Sequence, residues 1–376
     1  MNRHIQEKRR YNNFRVWLCA GSAAAALCAA GGGAFAQSEA TEVDTIIITG
    51  EKRERSLQDT TSSVGVFTSE SLRENAIDSL DEILRLTPNV SGNLDQLTIR
   101  GIGTFGVSDL GGDSFNGQTS LASSIVIDDV IIPQNILREG FTDLWDVGQV
   151  EVFRGPQSTN QGRNALSGGI VINTVEPGSE FSATVQGVVQ ELNGYRASGA
   201  VGGPIAGDAL SARFSVDWNE TDGFIDLDPQ SGSTNPTGSE SVTLRSKFLF
   251  TPDSAPNFSA RLALSHVDQE RALAFQSFDD PNVTSTGTRL SETQLTTAAL
   301  RLEYDLSDAL SLTSITTGVY QDNETPFEDN DGTTLPLGFV VAAYEETTYT
   351  QELRFDYDAG GRFKLLGGVY YYDSVR

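Results

Sequence analysis

The stretch Ser211-Ala212-Arg213-Phe214-Ser215-Val216-Asp217-Trp218-Asn219 decides the fold. Ala212, Phe214, Val216 and Trp218 share one parity, and Ser211, Arg213, Ser215 and Asp217 share the other. Side chains of a strand alternate between its faces, so this segment is apolar on one side and polar on the other. The pattern recurs downstream. Val242, Leu244, Phe248 and Phe250 oppose Thr243, Arg245 and Lys247; Phe258, Ala260, Leu262 and Leu264 oppose Ser259, Arg261 and Ser265. Ala298, Leu300, Leu302 and Tyr304 oppose Thr297, Arg301 and Glu303; Tyr349, Leu353, Phe355 and Tyr357 oppose Thr350, Glu352, Arg354 and Asp356.

A soluble sandwich alternates too, but its strands average about five or six residues. Several segments here sustain roughly ten, the length a tilted strand needs to cross the hydrocarbon layer. Aromatics gather at segment ends, at Trp218 and Phe224, Tyr344 and Tyr349, and Tyr370–Tyr372, as interfacial girdles do. Short turns fall at Pro204–Asp208, Pro252–Asn257, Leu306–Ala309 and Asp358–Gly361, separated by long polar stretches near Glu220–Glu240, Asp268–Thr293 and Gln321–Glu346. Alternating short and long connections fit a transmembrane β-barrel with brief turns on one side and long loops on the other. The count is about nine strands, and a membrane barrel must close. Either a small barrel closes within this chain or the chain is part of a longer one; the second is expected.

The first residues read as a targeting segment. Arg3, Lys8, Arg9, Arg10 and Arg15 precede the apolar run Val16–Ala30 and the small-residue site Ala34-Phe35-Ala36. That order predicts a secretory signal over 1–36, since about 15 apolar residues fall short of the roughly 20 a spanning helix needs. Both cysteines, Cys19 and Cys28, lie inside it, and only His266 of the two histidines lies beyond it. No disulfide framework and no His/Cys metal cluster can be built from the remainder, so no metal or cofactor is expected. A Ser-His-Asp triad could use His266 alone, and no catalytic residue is assigned. Removing 1–36 takes five basic residues and one acidic residue from 26 Lys+Arg and 51 Asp+Glu, leaving 21 against 50, a net of −29. Such a chain repels nucleic acid.

Residues 37–177 mix short helical patterns, glycine-rich loops and apolar β runs. Near their start stands Val43-Asp44-Thr45-Ile46-Ile47-Ile48-Thr49-Gly50, followed by the charged Glu51–Arg55. A β-branched run in a polar tail suits addition to a partner's sheet edge; it also suits an ordinary first strand. A strand is predicted at Ser63–Phe67. Ser71 to Glu74 has capping-box spacing, and Asp78 can cap a second helix carrying Leu80, Ile83, Leu84 and Leu86, which Pro88 ends. Further strands are predicted at Leu97–Arg100, Ser124–Ile132, Val150–Phe153 and Ile170–Thr174. Gly162-Arg163-Asn164 could pass for a phosphate cradle, but the Gly-Lys-Ser/Thr of a P-loop is missing.

Glu151-Val152-Phe153-Arg154-Gly155-Pro156-Gln157-Ser158, then Gly162-Arg163-Asn164-Ala165 and Gly168-Gly169-Ile170-Val171-Ile172-Asn173-Thr174, closely resemble the plug signature of TonB-dependent outer-membrane receptors. Leu97–Gly101 looks like that family's earlier plug motif, Thr350–Arg354 like a recurring barrel strand, and Asp44–Gly50 is similar to its TonB box. The resemblance implies a small α+β plug inside an antiparallel barrel of 22 strands. It implies that TonB pairs with the box residues Asp44, Thr45, Ile46, Ile47, Ile48 and Thr49 and pulls on the plug. Arg100 and Arg154 match family arginines that latch plug to barrel through acidic barrel residues. Gly155, Pro156, Gly162, Arg163, Asn164, Gly168 and Gly169 match the plug motif. About nine strands leave such a barrel incomplete; at roughly 22 residues per strand, thirteen more would need on the order of 290 residues.

The expected organisation is a signal peptide (1–36), a mobile segment with the TonB box (37–56), a plug (57–177) and the first part of a barrel (178–376). The expected function is uptake of a scarce nutrient by a monomer in the outer membrane. The implied partners are TonB, membrane lipid and a small-molecule substrate, by default a ferric siderophore. A vitamin or carbohydrate is the alternative within the family. From other classes, a small closed barrel enzyme or adhesin predicts closure within this chain, and a secreted acidic β-protein predicts release without detergent.

Overall fold

The computed structural model describes residues 46–53, 55–92, 97–103, 122–133, 136, 143–157, 165–191, 193–223, 238–272, 290–328 and 339–376. The segment 1–36, Asp44 and Thr45, and Gly162, Arg163 and Asn164 lie outside them. Everything below belongs to one compact unit, Ile46–Arg376.

Two short strands come first, β1 (Ile47–Ile48) and β2 (Arg55–Ser56), then β3 (Val64–Thr68) and helices α1 (Ser69–Glu74) and α2 (Leu80–Leu86). Next are β4 (Val90–Ser91), β5 (Thr98–Ile99), β6 (Ile102–Gly103), β7 (Ser123–Ile127), β8 (Val130–Ile131), β9 (Val147–Arg154) and β10 (Gly168–Thr174). A five-stranded sheet in the order β3-β9-β10-β7-β8 organises this inner unit; β10 runs parallel to β7 and antiparallel to β9. Leu80, Ile83 and Leu84 of α2 bury one stripe against Val150, Val152, Ile170 and Ile172 of the sheet, the arrangement an amphipathic helix needs.

Local chemistry moves several expected boundaries. The first helix begins at Ser69, not at Ser71, because the Thr68 hydroxyl already caps it by accepting from Ser71 N at 3.3 Å. The second is capped at Ser79 rather than Asp78; the Glu82 carboxylate turns back to accept from both backbone amides, Asp78 N at 2.9 Å and Ser79 N at 3.4 Å. The apolar run expected to be one strand, Ser124–Ile132, is a hairpin. Asp128 and Asp129 take φ of 43° and 72° and turn β7 back on β8, with Ile127 opposite Val130. Two successive left-handed residues make the tight hairpin turn that usually calls for Asn-Gly.

Gly168 is required by close approach. A Cβ there would stand 2.3 Å from the Phe153 carbonyl oxygen and 3.0 Å from Ile99 Cδ1. Backbone cannot step aside as a side-chain tip can, so Gly168→Ala should separate β9 from β10. It is expected to cost about 3 kcal/mol, the upper range of overpacking. Limited proteolysis of the inner unit in detergent checks this; a resistant fragment equal to wild type would refute it.

The wall follows: β11 (Ser182–Gln190), β12 (Gly194–Ala206), β13 (Leu210–Thr221), β14 (Ser239–Phe250), β15 (Phe258–Ala272), β16 (Leu290–Ser307), β17 (Leu310–Glu328), β18 (Phe339–Asp358) and β19 (Lys364–Val375). These form one nine-stranded sheet in sequence order, every neighbour antiparallel, which agrees with the expected count. The expected alternation is present. Arg213, Asp217, Thr243 and Lys247 are buried towards the inner unit, whereas Val185 and Val216 on the other face are 86% and 44% exposed. The inward face is not wholly polar, because Val267, Leu295, Ala299 and Val319 join the core that holds Val130 and Ile132.

Strands β16, β17 and β18 run 18, 19 and 20 residues. Parts of the expected loops Asp268–Thr293 and Gln321–Glu346 are therefore strand, with pairing continuing through Glu292↔Glu324 and Glu328↔Phe339. No helix among the described residues is long and apolar enough to cross a membrane. The wall would cross with strands.

Candidate functional site

The segment leading into the inner unit is held at three levels. Ile47–Ile48 pairs antiparallel with Arg55–Ser56, and Ile48, fully buried, packs with Phe153 and Val171. Beyond it the chain meets the carboxylate of Glu151, itself 0% exposed. That carboxylate accepts from Thr49 N at 2.9 Å, the Thr49 hydroxyl at 2.7 Å and Gly50 N at 2.9 Å. Gln149 Nε2 donates to the same carboxylate and to the Ile47 carbonyl, both at 2.8 Å. Four donors on one buried anion offset its desolvation without a cation. Gly50 has no room for a side chain, since a Cβ would lie 2.5 Å from the Phe153 ring. Further on, Lys52 Nζ donates to Glu352 at 2.8 Å and Arg53 Nε to Asp356 at 2.7 Å, both acids on β18. Of the expected box residues, Ile47–Thr49 are thus seen docked on the inner sheet, and the Ile46 carbonyl accepts from Leu57 N at 2.9 Å.

The body of the inner unit is tied to the wall with opposite polarity. Arg213 on β13 donates through Nε to Asp146 at 2.9 Å. Lys247 on β14 reaches Asp128 at 2.8 Å, the Thr174 carbonyl at 3.0 Å and Glu176 at 3.1 Å. Arg301 on β16 donates through Nε to Asp129 at 2.8 Å. Arg196 on β12 grips Asp217 at 2.9 Å and stands 3.6 Å from Asp143. The body offers acids to basic strands; the entering segment offers bases to an acidic strand.

Burial pushes the Asp129 carboxyl up, but the charge and hydrogen bonds of Arg301 outweigh it and hold the group below its ordinary range. At Asp143 burial wins, reinforced by Asp217 and only partly countered by Arg196, and the carboxyl is raised. An acid with a raised folded pKa binds its proton more tightly when folded, so stability falls as pH rises from the unfolded value towards the folded one. Asp143→Asn should therefore gain thermal stability relative to wild type at neutral pH, with the gap closing below about pH 4, near the unfolded value. Melting curves across pH test this; a gap independent of pH would refute it.

The other expected residues cluster at the end of β9. Arg154 Nη1 donates to the Pro88 carbonyl at 3.3 Å, while its Nε is buried with no acceptor among the described residues. The Arg100 guanidinium lies over Gly155, where a Cβ would come within 3.2 Å of Nη1. Gly155 takes φ of 124°, and the loop through Pro156 closes by Gly155 N to Ser167 O at 2.9 Å and Gln157 N to Ala165 O at 2.7 Å. Gly168 and Gly169 sit opposite Arg154 and Phe153. Among the described residues, the ion pairs to the wall are made by other side chains than Arg100 and Arg154. Sequence reasoning missed Glu151, Asp128, Asp129, Asp146 and Glu176. The wall partners of the last four, Arg213, Lys247, Arg261 and Arg301, stand on the polar parity, which is the available signal; Glu151 has no such partner in the wall among the described residues.

Between the inner sheet and β15–β19 lies a cavity of about 1150 Å³, bordered by Thr49, Lys52 and Arg53 on one side and by Arg261, Arg301 and Glu352 on the other.

Residues 56–169 match the family model of the TonB-dependent receptor plug domain. The chain is 27% identical over 230 residues to the pesticin receptors of Yersinia pestis and Yersinia enterocolitica, an alignment covering 59% of this chain and 32% of each relative. Its fold is similar to the ferric yersiniabactin uptake receptor of Yersinia pestis, with a TM-score of 0.69 and 21% identity over 83% of this chain and 48% of that one. It is also similar to the ferripyoverdine receptor of Pseudomonas aeruginosa, with a TM-score of 0.65 and 14% identity over 87% of this chain and 44% of that one. The chain thus spans about a third of the length of the curated relatives and about half of the solved receptors.

Proposed function

We propose that this chain, whose residues 56–169 carry the plug domain of TonB-dependent receptors, is the plug-bearing part of a bacterial outer-membrane receptor that imports a ferric siderophore. It works as a transport receptor rather than an enzyme. Outer loops and the plug surface would take the chelate, and TonB would engage the segment Asp44–Thr49 from the periplasm. Arg100 and Arg154 would serve as additional latches of the plug.

One observation carries this reading. The segment at the entry is anchored to the inner sheet through Glu151 and to the wall through Lys52 and Arg53, so a pull on it reaches both bodies at once. The pesticin receptors and the ferric yersiniabactin receptor suggest the substrate class.

The test uses the full-length gene product in cells stripped of their own siderophore receptors. Energy- and TonB-dependent uptake of ferric yersiniabactin, a ferric catecholate or ferripyoverdine is expected. Thr45→Cys or Ile47→Cys should form a substrate-dependent cross-link to TonB. Uptake of a vitamin or carbohydrate alone would replace the substrate; absence of both uptake and cross-link would remove the function.

A further inference from the structure

The long-connection end of the wall carries charge of one sign. Residues 220–240, 268–293 and 321–346 hold seventeen acids against two bases, a net of −15, about half of the −29 carried by 37–376. Pairing sets five of these acids in one rank: Glu220 opposite Glu240, Glu240 opposite Glu270, Glu270 opposite Glu292, and Glu292 opposite Glu324. One rung lower Asp322 faces Glu345, with Asp268 two strands away across Gln294. No Lys or Arg shares these two ranks among the described residues. Like charges directly opposite weaken a sheet, so the fold gains nothing from this arrangement. A surface charged only for solubility mixes both signs. A rim of one sign instead steers charged solutes.

The inward face at this height points the same way. Ser241, Gln269, Thr293 and Asn323 are neutral, and Gln321 Nε2 donates to the buried Glu346 carboxylate at 2.9 Å. Two wall side-chain atoms are buried with no hydrogen-bond partner among the described residues, Asn219 Oδ1 and Gln321 Oε1. Both are acceptors, and Gln321 is 0% exposed. Arg376 lies 3.5 Å from Glu346. An anion needs donors and would meet oxygens here; an ammonium would meet the acceptors it needs.

We propose that the outer end selects its solute by charge, and that the chelate it admits is cationic through an ammonium group rather than multiply anionic like a tris-catecholate. This rests on the proposed uptake of a ferric chelate and names its class. Five glutamates at about 4.8 Å per strand span roughly 20 Å. The Debye length is about 30 Å at 0.01 M salt, so the rank acts there as one field over the mouth; at about 1 M it is near 3 Å and the preference fades.

The test uses the full-length protein and three forms of one ferric tris-hydroxamate. Ferrioxamine B keeps a free ammonium, its N-acetyl derivative is neutral, and its N-succinyl derivative is anionic. Association in nanodiscs, and TonB-dependent uptake by cells stripped of their own receptors, should fall in the order cation, neutral form, anion. The two charged forms should associate about tenfold apart at low salt and nearly alike at high salt. Glu240→Lys/Glu270→Lys/Glu292→Lys should level or invert the order. Glu240→Gln/Glu270→Gln/Glu292→Gln, which relieves repulsion and keeps shape, should reduce it without inversion.

A nitroxide at Ser239→Cys reads the field with no siderophore present. This position is inward of the rank, opposite Thr221, and residues 37–376 contain no other cysteine. Cationic tris(ethylenediamine)nickel(II) should relax it several-fold more than anionic tris(oxalato)chromate(III), each normalised to the free label. Equal rates for the three chelates, uptake confined to anionic chelates such as a ferric catecholate, or equal relaxation by the two ions overturns the inference. The transport reading fails separately: no TonB-dependent uptake of any ferric chelate, with the relaxation ratio as described, discards that function and keeps the charge selection.

Discussion

Glu151→Ala should release residues 46–50 from the plug while leaving the wall intact. Four donors now converge on this carboxylate: Thr49 N, the Thr49 hydroxyl, Gly50 N and Gln149 Nε2. Without it they are stranded in a buried site, and each unsatisfied group costs about 1–3 kcal/mol. Undocking returns three of them to water. The docked state should therefore lose several kcal/mol, a shift of at least about 100-fold in the docking equilibrium. A nitroxide at Ile47→Cys reports this directly: a broad, immobilised spectrum in the parent and a narrow one in the Glu151→Ala background. Under the proposed function, binding of the TonB periplasmic domain should tighten in parallel, because affinity scales with the population of the competent state. An immobilised label in both backgrounds would end the assignment of Glu151 as the clasp. Glu151→Gln, which keeps one acceptor oxygen, should fall between the two.

The second large effect concerns the body. Arg213 and Asp146 meet with side chains only 9% and 7% exposed. Removing one partner from such a pair leaves a buried charge alone, at about 3–5 kcal/mol. Asp146→Ala should therefore loosen the plug, lower its thermal midpoint and raise leak current. The double change Asp146→Leu/Arg213→Met should be far milder, because the desolvation cost disappears with the charges. A structural account based only on lost packing predicts the reverse order, with the double variant worse than the single one. Leak current and melting in detergent separate the two.

Much of the wall was legible because a membrane imposes a simple rule on sequence. Parity assigned Phe214 and Val216 outward and Arg213 and Lys247 inward, and the structure keeps those faces. Loop lengths were less legible. Pairing beyond the hydrocarbon layer needs no apolar face, so Asp268–Ala272 and Gln321–Glu328 carry no signal that separates strand from loop.

The inner unit hid its contacts for another reason. Asp128-Asp129 interrupts an apolar run without glycine or proline, so the composition reads as strand. The turn exists because both carboxylates have wall bases to meet, Lys247 and Arg301. In the sequence Glu151 stands out only as part of a motif. Nothing local says that its side chain faces Thr49 about a hundred positions earlier, a contact set by folding rather than by neighbours. Arg100 and Arg154 stand out by resemblance alone; their surroundings here, Gly155 and Pro88, follow from the loop geometry at the end of β9.

The length of β16, β17 and β18 also sets where a solute first meets the protein. At about 3.3 Å per residue and a tilt near 40°, twenty residues climb roughly 50 Å, about twice the height of a 25 Å apolar band. Close to half of each such strand must then stand clear of the bilayer as a raised collar. Its outward positions include Glu292 and Glu324, side by side and exposed, which disfavours settling onto anionic head groups. Under the proposed function, a solute arriving from outside would enter this collar well above the lipid and complete its approach within a confined mouth.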